Sequence, residues 1–260
     1  MKEIFYLEGS NNMDLSRHIE IFVPDNVRHP INIIGVGATG SFVAMALARM
    51  GCPVLNIYDF DDVELHNIPN QYYDEKDIGL LKVDALAEKL RAINPNIVVN
   101  AHAGKVVVEK ENETDVAVSE LSGYVFMLVD SMKVRKELWE AAKLNENIIH
   151  CWESRLGSDQ ARVYSLDMSV QDFSKYEQDF YDDDVAEMSA CGTSITVLPI
   201  VLMTGALMIS QFIDVVMDKV NDYVFKIIFD NKYNKYEERF EEPAIELEEA
   251  IPTTSNEDIF

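Results

Sequence analysis

The chemistry of this chain is concentrated in Ile57–Gln71, "IYDFDDVELHNIPNQ", which carries Asp59, Asp61, Asp62 and Glu64 and then Asn67, Asn70 and Gln71. A carboxylate at the end of an apolar run can accept hydrogen bonds from ribose hydroxyls, and a side-chain amide can donate to phosphate oxygens. Upstream, Gly35-Val36-Gly37-Ala38-Thr39-Gly40 separates a strand-like run from a helix-like one. In that setting the first glycine of G-x-G-x-x-G permits a tight turn and the second lets backbone N–H groups approach phosphate. The third packs the helix close to the strand. Asp59 follows Gly35 by 24 residues, near the spacing of an acid that holds ribose. NAD and ATP both satisfy this signature. His66, His102 and His150 fall in no catalytic pattern and read as surface or satisfied histidines.

The elements that position these residues can be read from periodicity. "INIIGVGATGSFVAMALARMG" gives a strand through Ile31, Ile33 and Ile34, the glycine turn, and a helix with Phe42, Val43, Ala46, Leu47 and Met50 on one face. Gly51 can cap that helix. "PVLNIYDF" is a second strand. "GLLKVDALAEKLRAINP" is a helix with Leu86, Leu90 and Ile93 on one face, ending at Asn94-Pro95. "NIVVNAHAGKVVV" reads as a strand with an extension, followed by an acidic connector at 109–120. The apolar run "YVFMLVD" is a buried parallel strand ending at Asp130. A helix, "KVRKELWEAAKLNE", and strands "NIIHCW" and "ARVYSLDM" joined by "LGSDQ" follow, and "YVFKIIFDNKYNKYEERF" reads as a hairpin turning near "DNKYN". Alternating strands and helices predict an α/β fold: a Rossmann-like, doubly wound, mostly parallel sheet with an antiparallel extension. The expected organisation is a lead-in arm at 1–30 and a nucleotide-binding domain at 31–230 with an acidic crossover loop at about 169–188. An acidic C-terminal hairpin and tail then occupies 231–260.

Composition sets the outer limits. With 48% hydrophobic residues the chain can bury a core, and its net charge of −24 repels phosphate backbones, which argues against nucleic acid as a partner. Cys52, Cys151 and Cys191 form no C-x-x-C pair, so a four-thiolate zinc site is excluded and a reducing, cytoplasmic setting is expected. Cys52 and Cys151 read as core residues, and the N-terminus lacks a secretion core. Ala190–Ile213 carries no charge over 24 residues. Its scattered Ser, Thr and Gln, its Pro199 and Gly205, and the lack of flanking basic clusters favour a core or dimer-interface helix over a membrane span.

Together these motifs resemble the ThiF/MoeB/HesA adenylating enzymes, relatives of the ubiquitin-activating enzymes, over about residues 14–230. The family's R-Y-x-R-Q/H-I appears as "LSRHI", keeping Arg17. Its glycine loop appears as "GVGATGS", and its D-x-D-x-V-x-x-x-N-L-x-R-Q as "DFDDVELHNIPNQ". D-x-G-x-x-K appears as "DIGLLKV" with Lys82, I-N-P is intact at Ile93–Pro95, and D-N-x-x-x-R corresponds to "DSMKVR" with Asp130 and Arg135. "CGTSITVLPIVLMTGALMISQFI" resembles the family's C-x-x-x-G-V-x-x-P-x-x-G-x-x-G-x-x-Q-A-x-E segment.

The resemblance implies adenylation, from ATP, of the C-terminal glycine carboxylate of a small ubiquitin-like or sulfur-carrier protein. It implies a nucleotide site formed by Gly35, Gly37, Ala38, Gly40, Asp59, Asp61, Asn67, Asn70, Gln71 and Lys82. It further implies Mg²⁺ on Asp130, Lys82 on the β- and γ-phosphates, and Arg17 reaching into the partner's site of a homodimer. Asn70 stands where the family has arginine, so Lys76, Lys133 or Arg135 would have to supply the missing cation, or the site is weakened. Cys191 falls where some relatives carry a functional thiol. The other readings are adenylation of a different carboxylate, a non-catalytic partner-binding relative, and an NAD oxidoreductase.

Overall fold

The computed structural model describes residues 13–157, 160–170, 172–182 and 196–219, with the backbone of Phe225–Asp230 and Lys235–Arg239. Cys191, the end of the acidic crossover loop and the tail beyond 240 lie outside the described residues. The first half contains β1 (Ile31–Ile34), α1 (Ala38–Arg49), β2 (Val54–Tyr58), α2 (Lys82–Ile93), β3 (Val98–His102), β4 (Val106–Val107) and β5 (Val116–Ala117). The second half contains β6 (Gly123–Met127), α3 (Met132–Ala142), β7 (Ile148–Leu156), β8 (Gln160–Asp167), α4 (Ser174–Glu177), α5 (Leu198–Val216), β9 (Phe225–Asp230) and β10 (Lys235–Arg239).

The main sheet has eight strands in the order β10-β9-β8-β7-β6-β1-β2-β3. Strands β3, β2, β1, β6 and β7 run parallel, and β8, β9 and β10 continue the sheet antiparallel. This is the doubly wound sheet with an antiparallel extension, and its chain order changes direction between β1 and β6. In such folds ligands bind at the strands' carboxyl ends beside that reversal.

Each face of the sheet has its own core. Ile31, Ile33, Leu55, Ile57 and Val99 pack on one side with Val43 and Leu47 of α1, Leu86 and Leu90 of α2, and Met208 and Phe212 of α5. On the other side Val125, Met127, Cys151 and Tyr164 pack with Leu138 and Trp139 of α3 and Tyr176 of α4. Each such fully buried aliphatic side chain contributes about 1.5–3 kcal/mol relative to leaving it in water. Cys52 and Cys151 are buried, as expected of core residues. The lead-in arm makes a helical turn over Leu15–Phe22, and Phe22 seats its ring 6.1 Å from that of Phe212.

Asparagines occupy the second face of the first three strands. Asn32, Asn56 and Asn100 lie side by side across β1, β2 and β3. Asn100 donates to Asn56 Oδ1 (2.8 Å) and Asn56 donates to Asn32 Oδ1 (3.0 Å). Asn32 in turn donates to the carbonyls of Ser122 and Tyr124, and the Tyr58 hydroxyl donates to Asn32 Oδ1. The row floors an open polar cleft of about 670 Å³, walled in part by Tyr58 with His102 stacked on it.

Two segments differ from the sequence reading. The extension after β3 leaves the main sheet, and β4 pairs instead with β5 in a separate two-stranded ladder. Gly104 allows this, because a Cβ there would sit 2.0 Å from the Thr114 carbonyl oxygen, where the two backbones cross. The connector at 109–120 is therefore partly ordered. The uncharged segment is described from Thr196 and runs into α5, which buries Ile200, Val201, Thr204, Met208 and Phe212 against the sheet and α1 but exposes Leu198, Leu202 and Met203. This helix is long and apolar enough to cross a membrane, with mean hydropathy 1.8 over a window that is 44% buried. The packed face is that of a core helix.

Candidate active site

The glycine turn is held from below by β2. Gly35, at φ +87°, donates its N–H to Tyr58 O (2.8 Å), and Val36 donates to Asp59 Oδ2 (2.9 Å). Its left-handed backbone excludes a side chain, and a Cβ would also lie 2.6 Å from the Leu128 carbonyl oxygen. At Gly40 a Cβ would lie 2.0 Å from Gly35 O, so α1 rests directly on the turn. Gly37 is different, because among the described residues the one atom within 4 Å of its added Cβ is Gln71 Nε2, at 3.9 Å. Space is therefore left above the second glycine, and Ala38 opens the helix behind it. Burial pushes the Asp59 carboxyl up from its ordinary value, opposed by the Asp61 N–H, the Lys82 charge and the Val36 N–H.

The polar cluster after Asp59 folds back against this turn. Asn67 organises it: its Oδ1 accepts the Glu64 N–H (2.8 Å) and its carbonyl accepts the Gln71 N–H (2.9 Å). The next residues are tied to the glycine turn, with Tyr72 N–H donating to Ser41 Oγ (3.0 Å) and the Tyr73 hydroxyl donating to Val36 O (2.8 Å). Among the described residues the tie leaves three buried polar atoms without a partner: Thr39 Oγ1, Asn70 Oδ1 and Gln71 Oε1. Buried polar atoms are almost always satisfied in folded proteins, so three together beside an open glycine turn fit a site completed by a polar ligand.

Asp61 and Lys82 meet on the other side of the cluster. Val63 N–H donates to Leu80 O (2.8 Å) and Lys82 N–H donates to Asp61 O (2.9 Å), which lays the two motif segments alongside each other. Lys82, the first residue of α2, is 7% exposed, and its Nζ lies 2.7 Å from Asp61 Oδ2. Lys89 pairs with Asp77 (2.9 Å) and with Asp74, fixing the intervening loop to α2. Lys76 is exposed on that loop.

Asp130 stands exposed just beyond β6, two residues after Leu128, whose N–H donates to Ile34 O (2.8 Å). The fold thus brings Asp130 to the same sheet end as the glycine turn. Among the described residues no group of three His, Cys, Asp or Glu side chains converges as a metal cage. Mg²⁺ needs no such cage, since one or two carboxylates suffice when phosphate oxygens complete its shell. Arg17 is exposed on the lead-in arm, where its charge and, more strongly, Ser16 hold the Asp14 carboxyl low.

Arg135 corrects the sequence reading. It cannot replace the missing arginine, because its guanidinium is buried and bonded to Glu153, to the Ser154 carbonyl (2.7 Å) and to the Val129 carbonyl. Sequence reasoning also passed over Glu153, Arg155 and Tyr176. The available signal was a charged pair inside the strand-like run "HCWESRL", where a buried strand should be apolar.

A doubly wound sheet with a glycine turn at its reversal, an acid at the second strand's end and orphaned polar atoms above the turn defines a Rossmann-like α/β domain with a ligand-accepting turn. The chain belongs to the ThiF family, whose match runs over residues 26–250. It is 34% identical over 133 residues to ubiquitin-like modifier-activating enzyme 5 of Drosophila mojavensis, covering 48% of this chain and 33% of that protein. It is 30% identical over 165 residues to the tRNA threonylcarbamoyladenosine dehydratase of Haemophilus influenzae, covering 61% of this chain and 60% of that protein. The chain thus spans a third to three-fifths of the length of these relatives. Among solved structures, E. coli MccB superposes with a TM-score of 0.67 at 15% identity, over 89% of this chain and 70% of MccB.

Proposed function

We propose that the protein is an ATP-dependent adenylyltransferase acting on the C-terminal carboxylate of a small ubiquitin-like or sulfur-carrier protein, with release of pyrophosphate. The observation that carries this reading is the docking of the Asn67–Tyr73 segment on the glycine turn, with Thr39, Asn70 and Gln71 presenting unpaired buried atoms there. Family membership and the similarity to an enzyme named for activating a ubiquitin-like modifier support it.

In this reading Asp59 accepts from the ribose hydroxyls while it holds the Val36 N–H. The glycine turn's N–H groups, the Thr39 hydroxyl and the amide N–H groups of Asn70 and Gln71 donate to phosphate oxygens, and the unpaired Asn70 Oδ1 and Gln71 Oε1 accept from hydroxyl or amino donors of the bound ligands. Lys82, pre-aimed by Asp61, meets the β- and γ-phosphates. Asp130 would hold Mg²⁺, which supplies charge neutralisation for the leaving pyrophosphate. A carboxylate oxygen of the carrier's terminal glycine forms a bond to the α-phosphorus. The bond from that phosphorus to the bridging oxygen breaks, and pyrophosphate leaves with the electron pair. The attacking carboxylate is already ionised at neutral pH, so positioning and charge stabilisation suffice and no general base is needed.

A homodimer in a reducing, cytoplasmic setting completes the proposal, with Arg17 of each subunit serving the other's site. The outward face of α5, where Leu198, Leu202 and Met203 are exposed beside Val197, supports it as a surface for a second copy.

The test is ATP–pyrophosphate exchange with candidate carriers that end in glycine. Asp130→Ala and Lys82→Ala should each lower exchange at least about 100-fold while leaving the fold intact. Exchange absent with every carrier, with ATP still bound, would identify a partner-binding module instead.

A further inference from the structure

Glu153 is fully buried near the carboxyl end of β7 and gathers three partners from three elements. Arg135 of α3 pairs with its Oε1. Arg155, two residues on, grips both carboxylate oxygens, at 2.8 Å through Nε and 3.0 Å through Nη2. The Tyr176 hydroxyl of α4 donates to Oε2. Burial alone would push the Glu153 carboxyl up, but Arg135, Arg155 and Tyr176 outweigh it and hold the group below its usual range.

The two arginines leave this carboxylate in different directions. Arg135 also donates to the carbonyl of Val129, the residue before Asp130. Arg155 donates to the carbonyl of Asp179, in the segment that follows α4, and lies over the rings of Tyr164 (4.5 Å) and Phe180 (5.1 Å). The Tyr164 hydroxyl secures the same segment through Asp179 Oδ2 (2.9 Å). A single carboxylate therefore anchors the turn that presents Asp130 and the described start of the acidic crossover segment.

We propose that Glu153 is a positioning residue for Asp130, and that through Tyr176 and Arg155 it makes the geometry of the Asp130 turn depend on the seating of segment 174–181. This rests on the adenylation reading only for the role of Asp130. The relay itself is a property of the chain. When Tyr176 and Asp179 are seated, Arg155 takes its share of the carboxylate and Arg135 is held in line with Val129. When they lift away, Glu153 loses the Tyr176 hydroxyl and Arg155 loses the Asp179 carbonyl, so the carboxylate is free to turn between the two arginines and Arg135 no longer holds the Val129 carbonyl in a fixed line. A basic or aromatic segment of a bound carrier that displaces 174–181 would in this way be sensed at the metal ligand.

The test uses the full chain and Tyr176→Phe, which removes one hydroxyl, touches neither Val129 nor Asp130, and keeps the ring. Amide hydrogen exchange without ligand should rise about tenfold at residues 129–131 as well as at α4. The Mg²⁺ concentration for half-maximal ATP binding, measured by calorimetry, should rise several-fold and saturate at wild-type stoichiometry. Arg155→Lys should act in the same direction. Faster exchange at α4 with no change at 129–131, and an unchanged Mg²⁺ requirement, would overturn the proposal, as would no change at either place. A wild-type protein that binds no Mg²⁺ and ATP would instead remove the functional reading, while the exchange result would still decide the relay.

Discussion

Asn70→Ala removes a carbonyl oxygen that is buried without a hydrogen-bond partner. An unsatisfied buried acceptor costs about 1–3 kcal/mol, so deleting it should relieve the ligand-free fold. Truncation also loses packing of a half-buried side chain, which offsets part of the gain. The net expectation is a ligand-free protein unchanged or more stable by up to about 1 kcal/mol. Affinity for ATP should move the other way, because the substitution also removes the Asn70 amide N–H that donates to a phosphate oxygen. A neutral hydrogen bond is worth about 0.5–1.5 kcal/mol, so its loss should weaken binding about 2- to 13-fold.

Asn70→Arg should have the opposite effect on affinity. Charge-assisted bonds are worth about 1.5–3 kcal/mol, so the exchange of amide for guanidinium should tighten ATP about fivefold or more. Urea unfolding of the ligand-free variants gives the stability arm, and calorimetric titration with Mg²⁺ and ATP gives the affinity arm. An alanine variant destabilised by more than about 1 kcal/mol with unaltered ATP affinity would show that Asn70 serves the fold and not the ligand. The reasoning from orphaned atoms would then fail.

Three other outcomes are expected. Burial pushes the His150 imidazole from 6.5 down to about 4, with its Nε2 2.7 Å from Ser165 Oγ. The unfolded chain therefore binds the extra proton between those values, and the stability present above pH 6.5 is lost as pH falls toward 4, by about 3 kcal/mol. Urea midpoints from pH 7 to 4 should fall less steeply for His150→Gln, and an identical slope would refute the assignment. Gly40→Ala drives a methyl against Gly35 O and should cost about 3 kcal/mol, whereas Gly37→Ala meets open space and should keep its melting temperature but lose ATP affinity. Equal melting temperatures for the two variants would contradict the geometry of the turn. Finally, Arg17→Ala and Asp130→Ala proteins, each inactive, should regain about a quarter of the activity when mixed and allowed to exchange subunits, since one site in each mixed dimer is whole. A mixture that stays inactive would place Arg17 outside the partner's site.

The fold was legible wherever local pattern and tertiary role agreed. The Ile31–Ile34 run, the glycine turn, the Lys82–Ile93 helix and the hairpin that becomes β9 and β10 all form near the predicted positions. Periodicity failed where backbones cross: nothing in "AHAGKVVVEKENETDVAVS" announces that Val106 and Val116 pair outside the main sheet. At the site, motif spacing singled out Asp59, Lys82 and Asp130, and the fold carries all three to one sheet end. The same spacing offered Arg135 as a replacement cation, because an arginine at a motif position says nothing of the carboxylate a later strand will bring to it. Asn67 shows a subtler gap, since its side chain builds the turn that aims Asn70 and Gln71. Spacing identifies which residues gather, but only the folded geometry separates those that hold the frame from those that face the ligand.

The row of asparagines across the first three strands bears on how the chain finds this arrangement at all. Apolar parallel strands such as "INII" and "VLNIY" fit one another in several alignments with little energetic distinction. Asn32, Asn56 and Asn100 bond one another in a row when the three strands are level. A slip of one strand by one residue would turn its asparagine into the hydrocarbon between the sheet and α1 and α2, at a few kcal/mol. The row thus favours the native alignment of the three strands over a one-residue slip. The glycine turn and Asp59, which sit on successive strand ends, inherit their mutual distance from that alignment.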